Sequence, residues 1–200
     1  MIAIVDYGMG NLRSVQKALE KVGADARITH KGNDIVQADK IVLPGVGAMA
    51  PAMAKLRQLG LTETIREVIS AGKPFLGICL GLQLLFEKSA EGGNVEGLKV
   101  LKGTVNRFTK GKVPHMGWNQ VNVQPAGQAM YKGVPNGANV YFCHSYYVVP
   151  KDQNIIASVT EYGVPYVSSV AAKNIWGVQF HPEKSQTVGL QILKNFAELK

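Results

Sequence analysis

Residues 74–86 read PFLGICLGLQLLF. Pro74–Ile78 has the apolar texture of a buried strand, and Leu80–Glu87 that of a helix. Cys79 stands between them, with Gly77 two residues before it and Gly81 two after. A strand that turns sharply into a helix at such a residue has the form of a nucleophile elbow, with cysteine in place of serine. The turn presents its side chain at the carboxyl end of a strand, where open α/β sheets bind ligands. The helix that follows offers unpaired N–H groups and a positive dipole end, which favour a thiolate over a thiol. The same residues also read as a small cysteine that merely fits strand–helix packing. On the elbow alone the two readings stand level.

Working outward, strand-like and helix-like segments alternate. Ile2–Asp6 is a short apolar strand, followed by Asn11–Val22, where Leu12, Val15, Leu19 and Val22 recur at helical spacing before Gly23. Ala24–Thr29 and Lys40–Leu43 read as strands, and 48–59 and 62–71 as helices. This βαβα order predicts a parallel sheet with helices on both faces. From Leu98 onward the texture changes to β-rich segments at 100–108, 117–123, 138–149, 155–161, 166–171 and 175–180, separated by Gly, Pro and Asn turns. An amphipathic helix closes the chain over 187–199. The expectation is one α/β domain over 1–200, a mixed sheet whose later strands are antiparallel.

Composition narrows the function. The chain has 200 residues, 46% of them hydrophobic and 18% charged, which is ordinary for a globular domain with a real core. No apolar stretch reaches the roughly 20 residues needed to cross a membrane. The start, Met1-Ile2-Ala3-Ile4-Val5-Asp6, reads as a strand rather than a signal peptide, which gives the expectation of a cytoplasmic protein. Two cysteines far apart, with no C-x-x-C pair, argue against a disulfide scaffold or a zinc site. The net charge of +8 is spread along the chain without a nucleic-acid motif, so it reads as solvated surface, part of it facing an acidic partner.

A cysteine nucleophile needs a base, and the base needs something to orient it. The strand Ile175–Phe180 is followed at once by His181-Pro182-Glu183. Proline keeps the residue before it extended, and residues i and i+2 of an extended chain project to one side, roughly 6–7 Å apart. Glu183 can then bond one imidazole nitrogen while the other faces Cys79, completing a Cys-His-Glu triad. Cys143-His144 is a rival pair, but adjacent strand residues point to opposite faces, so Cys143 reads as packing. His30 and His115 have no chemical context beyond their loops. Tyr7-Gly8-Met9-Gly10-Asn11 hints at a dinucleotide loop, yet Arg13 stands where the third glycine belongs.

Gly77-Ile78-Cys79-Leu80-Gly81-Leu82-Gln83 together with His181-Pro182-Glu183 resembles the class I glutamine amidotransferase family. The resemblance implies a three-layer, flavodoxin-like open sheet, mostly parallel, with an added antiparallel β region. It also implies hydrolysis of glutamine, with ammonia delivered to a second active site and no cofactor. In that family Leu80 and the loop Gly45-Val46-Gly47 supply the oxyanion hole, while Gln83 and the Ser145-Tyr146 backbone bind the amino-acid end of glutamine. Further segments, Ile4–Leu12, Pro44–Gly47, Pro114–Asn119 and Tyr141–Tyr147, are similar to one branch of the family. Its partner is a (βα)8-barrel cyclase of histidine biosynthesis, held as a heterodimer. In that branch Asn11, Trp118, Tyr141 and Lys184 face the cyclase. Composition alone gives them blander readings, as surface polar groups and packed aromatics.

Val46 stands where many other branches carry a second glycine. A β-branched residue resists φ > 0, so turning its N–H into an oxyanion hole costs of order 1–3 kcal/mol. That cost implies low activity alone and switching by partner and nucleotide. Three rival readings follow from the same residues. One is another amidotransferase branch, serving anthranilate, aminobenzoate or pyridoxal phosphate synthesis. The second is a stand-alone cysteine hydrolase, although there the acid precedes the histidine. The third is a non-catalytic flavodoxin-like binding module.

Overall fold

A computed structural model describes residues 1–199. The chain opens with β1 (Ile2–Val5), α1 (Leu12–Lys21), β2 (Ala26–Thr29), α2 (Gly32–Gln37) and β3 (Lys40–Gly45). It continues through α3 (Met49–Gln58), α4 (Leu61–Ser70), β4 (Phe75–Cys79) and α5 (Leu80–Leu84). The β-rich part holds β5 (Lys88–Ser89), β6 (Val95–Glu96), β7 (Gly103–Arg107), β8 (His115–Val123), β9 (Ala138–His144), β10 (Tyr146–Pro150), β11 (Ile156–Glu161), β12 (Pro165–Ala172) and β13 (Ile175–Val178), before α6 (Gln186–Ala197).

Five strands in the order β2-β1-β3-β4-β13 pair in parallel and form the centre of the sheet. Residues of β1, β4 and β13 are buried throughout, as continuous apolar strands must be when helices cover both faces. One core face gathers Ile41, Leu43, Leu56, Ile65 and Phe75; the other gathers Leu19, Val42, Ile78, Trp176 and Phe196. Beyond β13 the pairing turns antiparallel through β12, β10 and β7, with β11, β8 and β9 branching from β12. The expectation of antiparallel later strands therefore holds for most of them, but β13 returns to the centre parallel to β4. No helix among the described residues is long and apolar enough to cross a membrane.

Local differences from the sequence reading have physical causes. The helix expected to Glu87 ends at Leu84. Leu85 and Phe86 N–H tighten onto the carbonyls three back, Leu82 and Gln83, and Glu87 N–H leaves for Gly103 O. Residues 97–101 cap the carbonyls at its end. Leu98 N–H donates to Leu84 O, Val100 and Leu101 to Leu85 O, and Lys99 to Phe86 O. The strand expected over 138–149 breaks at Ser145, where the chain leaves its pairing with β8 for pairing with β7. α2 escaped the sequence reading because it has only 6 residues and buries only Ile35.

Candidate active site

The site lies at the carboxyl ends of β3, β4 and β13. Registers Gly45↔Cys79 and Val178↔Ile78 bring three ends to one level, so Cys79, the 45–47 loop and His181 share an edge of the sheet. Cys79 caps α5 with φ 54 and ψ −108. A non-glycine residue in that region stores of order 1–3 kcal/mol of strain and persists only where its surroundings over-determine it. Here the glycines do so. A Cβ on Gly77 would lie 2.8 Å from the Gly81 carbonyl, and one on Gly81 would run into the carbonyl oxygen of Leu43. The flanking glycines let β3, β4 and α5 close on each other behind the cysteine.

His181 is 3% exposed and extended, with φ −99 and ψ 97 before its proline. Its Nδ1 lies 2.9 Å from Glu183 Oε1, and both side chains are almost wholly buried. The loop is tied in place: Tyr141 O accepts from His181 N–H at 2.9 Å, and Ser185 Oγ donates to His181 O at 2.7 Å while accepting from Tyr141 N–H. Burial works to lower the His181 pKa, but hydrogen bonds to Cys79 and Glu183, and their charges, outweigh it and raise it to about 10. His181 is therefore an imidazolium at neutral pH, and keeps its proton until the pH rises through about 10.

Two residues at the site went unread in the sequence. Gln179, fully buried, donates from Nε2 to Cys79 Sγ at 3.7 Å and accepts from Gln83 Nε2 at 3.1 Å. Its i, i+2 relation to His181 was the available signal, since it puts both on one side of an extended chain. Glu91 accepts from Met49 N–H at 2.7 Å, at the start of α3, and lines the pocket. Nothing in the sequence marks it, because its position depends on a fold contact 42 residues away.

The pocket holds about 470 Å³, within the usual range for small-molecule sites. Val46, Gly47, Cys79, Leu80, Gln83, Ser145, Tyr146, His181 and Lys184 line it, so the structure brings together nearly all the residues expected to work on a substrate. Gly45 joins from behind through its register with Cys79. Gln83 spends its amide nitrogen on Tyr146 O, at 3.0 Å, and on Gln179. Val46 is absent from the residues with positive φ; the left-handed turn is taken by Gly47, at φ 84.

His115 needs correction. It sits on β8, not in a loop, 3% exposed and stacked on Tyr162 and Phe142 at ring distances of 3.9 and 4.8 Å. His144 Nδ1–H donates to Tyr146 O at 2.8 Å, so its Nε2 must accept, and His115 Nδ1–H donates to it at 3.2 Å. Burial lowers the pKa of His115 to about 4, and burial first of all lowers that of His144 to about 3. His144 therefore has no free lone pair to serve as a base. Cys143 is half-buried on the pocket wall rather than packed away, and its carbonyl lies 3.9 Å from Cys79 Sγ. Among the residues expected at an interface, Trp118 is 49% exposed and meets Tyr141 edge-on at 6.0 Å. Lys184 Nζ sits 5.8 Å above the Tyr141 ring. Asn11 lies apart from these aromatics in sequence, immediately before α1.

A family model for glutamine amidotransferase class-I matches residues 3–199. The chain belongs to that family. It is 55% identical over 199 residues to the imidazole glycerol phosphate synthase subunit HisH of Moorella thermoacetica, covering 99% of this chain and 94% of that one. It is 53% identical over 207 residues to the subunit of the same name in Geobacter sulfurreducens, covering 100% and 99%. Among solved structures, a glutamine amidotransferase superposes with TM-score 0.78 at 17% identity over 99% of both chains. PurLQS from Thermotoga maritima superposes with TM-score 0.74 at 20% identity, over 98% of this chain and 94% of that one. For a class I amidotransferase the chemistry available at this edge is acyl transfer: a sulfur at a helix start, an imidazolium carrying a proton, and a carboxylate behind it.

Proposed function

We propose that this amidotransferase is the glutaminase subunit of an imidazole glycerol phosphate synthase. It works as a heterodimer with a (βα)8-barrel cyclase to which it passes ammonia. The observation that carries the reading is the convergence of Cys79 and His181 at adjoining strand ends on one pocket with ample room for an amino acid, with Glu183 bonded to His181. The similarity to the two HisH subunits supports the branch, and no cofactor enters the chemistry.

Cys79 sulfur attacks the side-chain amide carbon of glutamine. The oxyanion that forms is met by Leu80 N–H and by the loop Gly45-Val46-Gly47. The tetrahedral centre collapses with cleavage of the C–N bond, and His181 gives the departing nitrogen its proton, releasing ammonia and leaving a thioester. Neutral His181 then takes a proton from water as the water attacks the thioester. Collapse expels the sulfur and yields glutamate. Glu183 holds the ring in place throughout and balances its positive charge.

The Ser145 and Tyr146 N–H groups suit the substrate carboxylate. Glu91 suits its ammonium, a contact that would be one charge-assisted hydrogen bond. Glu91→Gln keeps an acceptor for Met49 N–H but removes the charge. The expected result is a rise of about 10-fold or more in KM for glutamine with kcat little changed, measured from initial rates of glutamate release. A normal KM would remove Glu91 from substrate binding.

Trp118, Met116, Tyr141 and Lys184 form the exposed face beside the pocket, with Met116 61% and Trp118 49% exposed, and this face suits the cyclase. The deciding experiment is glutamate release by the chain alone, then with the cyclase and its nucleotide. Val46, held without positive φ, leads us to expect stimulation on the order of 10-fold to 100-fold. Equal rates with and without partner would sink the switch, and no glutamate in either mixture would sink the glutaminase reading.

A further inference from the structure

Tyr7 follows β1, the strand beside β3, and its side chain is 1% exposed. Its hydroxyl is buried without a hydrogen-bond partner among the described residues. Buried hydroxyls ordinarily find partners, so one left idle at a working site asks for an explanation. Its location supplies one. A Cβ built on Gly45 would lie 2.5 Å from Tyr7 Oη, so the phenol oxygen occupies the space a side chain would take there. That puts it within about 4 Å of the Gly45 Cα. That built Cβ would itself lie 2.9 Å from Leu80 Cβ and 3.1 Å from Gly81 N, so the same space borders the first turn of α5. Tyr7 is not among the pocket-lining residues, whereas Val46 and Leu80 are. The hydroxyl therefore sits behind the oxyanion loop, on the side away from substrate.

A peptide unit is planar, with N–H and C=O on opposite edges. Turning the Val46 N–H toward the pocket swings the Gly45 carbonyl the other way, into the interior. We propose that Tyr7 is a positioning residue for the oxyanion loop, its hydroxyl donating to the Gly45 carbonyl when the Gly45–Val46 peptide rotates into its working orientation. This rests on the glutaminase reading above and adds a residue to it. The hydroxyl is idle in one loop state and bonded in the other, so it favours the working state without holding the resting one. Burial, and secondarily the charge of Cys79, push the phenol pKa well above its ordinary value, so it remains a donor.

The test is Tyr7→Phe, which removes only the oxygen, assayed for glutamate release with the cyclase and nucleotide present and absent. The expected result is a fall of about tenfold in stimulated kcat, with KM for glutamine within about twofold of wild type. The ratio of stimulated to unstimulated rate falls with it, and the melting temperature does not drop. A residue that merely fills the core would leave kcat and that ratio unchanged, which overturns the proposal. A lowered melting temperature also overturns it, because the hydroxyl would then be bonded in the resting protein. If the wild-type chain releases no Cys79-dependent glutamate, the glutaminase reading fails and takes this inference with it. Normal wild-type stimulation beside an unaltered Tyr7→Phe variant defeats the Tyr7 role alone.

Discussion

Replacing Cys79 with alanine is expected to cut glutamate release by at least about 10³-fold in the assembled complex, while the chain stays folded. The sulfur is the only nucleophile the mechanism uses, and what survives is the rate that binding and oxyanion contacts give to water alone. Alanine also relieves little of the strain, since the backbone at φ 54 is set by the packing of Gly77 and Gly81. The informative comparison is with ammonium salts. A complex carrying Cys79→Ala should still make product from added ammonia, because the proposed function puts the acceptor chemistry in the cyclase subunit. Loss of both activities would mean that the substitution disturbed assembly. Full glutamine activity would move the nucleophile to Cys143, the other cysteine on the pocket wall.

Gly81→Ala should do the greatest damage to the fold for the smallest change in composition. The added methyl meets the Leu43 carbonyl, its carbon 2.9 Å away, and this neighbour is backbone that cannot rotate aside. Strand β3 and helix α5 must separate. Overpacking of this kind costs about 3 kcal/mol or more. For a chain of this size that lowers the melting temperature by about 6–12 °C. The separation also displaces Leu80 N–H from the Gly45–Gly47 loop, and misplacement of about 1 Å at such a site costs about 10²-fold in kcat. A variant that melts normally and turns over normally would refute the close approach of β3 and α5.

These two residues show where the sequence was legible. The elbow and the His181-Pro182-Glu183 turn each carry their geometry within a few residues, so spacing alone predicts which side chains share a face. The ion pair at 2.9 Å between His181 and Glu183 is such a local consequence. The alternating first half likewise told of a parallel sheet, because buried parallel strands need unbroken apolar runs. What stayed hidden depends on distant partners. Gln179 meets Cys79 across 100 positions, and Glu91 reaches Met49 across 42. The early end of α5 is set where Glu87 N–H leaves the helix for Gly103 O, at the start of β7. A polar residue after Pro114 resembles a loop, whereas the His115 ring, flanked by Phe142 and Tyr162, sits easily in a strand.

The placement of β13 has a consequence for how the protein comes into being. It is the last strand of the sheet in chain order, yet it inserts at the centre, between β4 and β12. While the chain is being synthesised, β4 carries an open edge until residues 175–178 emerge and dock. Such unpaired edges invite association with other chains, and pairing across about a hundred residues is slow to form. The same delay has a benefit. The sulfur of Cys79 has no His181 beside it until nearly the whole sheet is complete, so under the proposed mechanism a half-made chain cannot turn over glutamine.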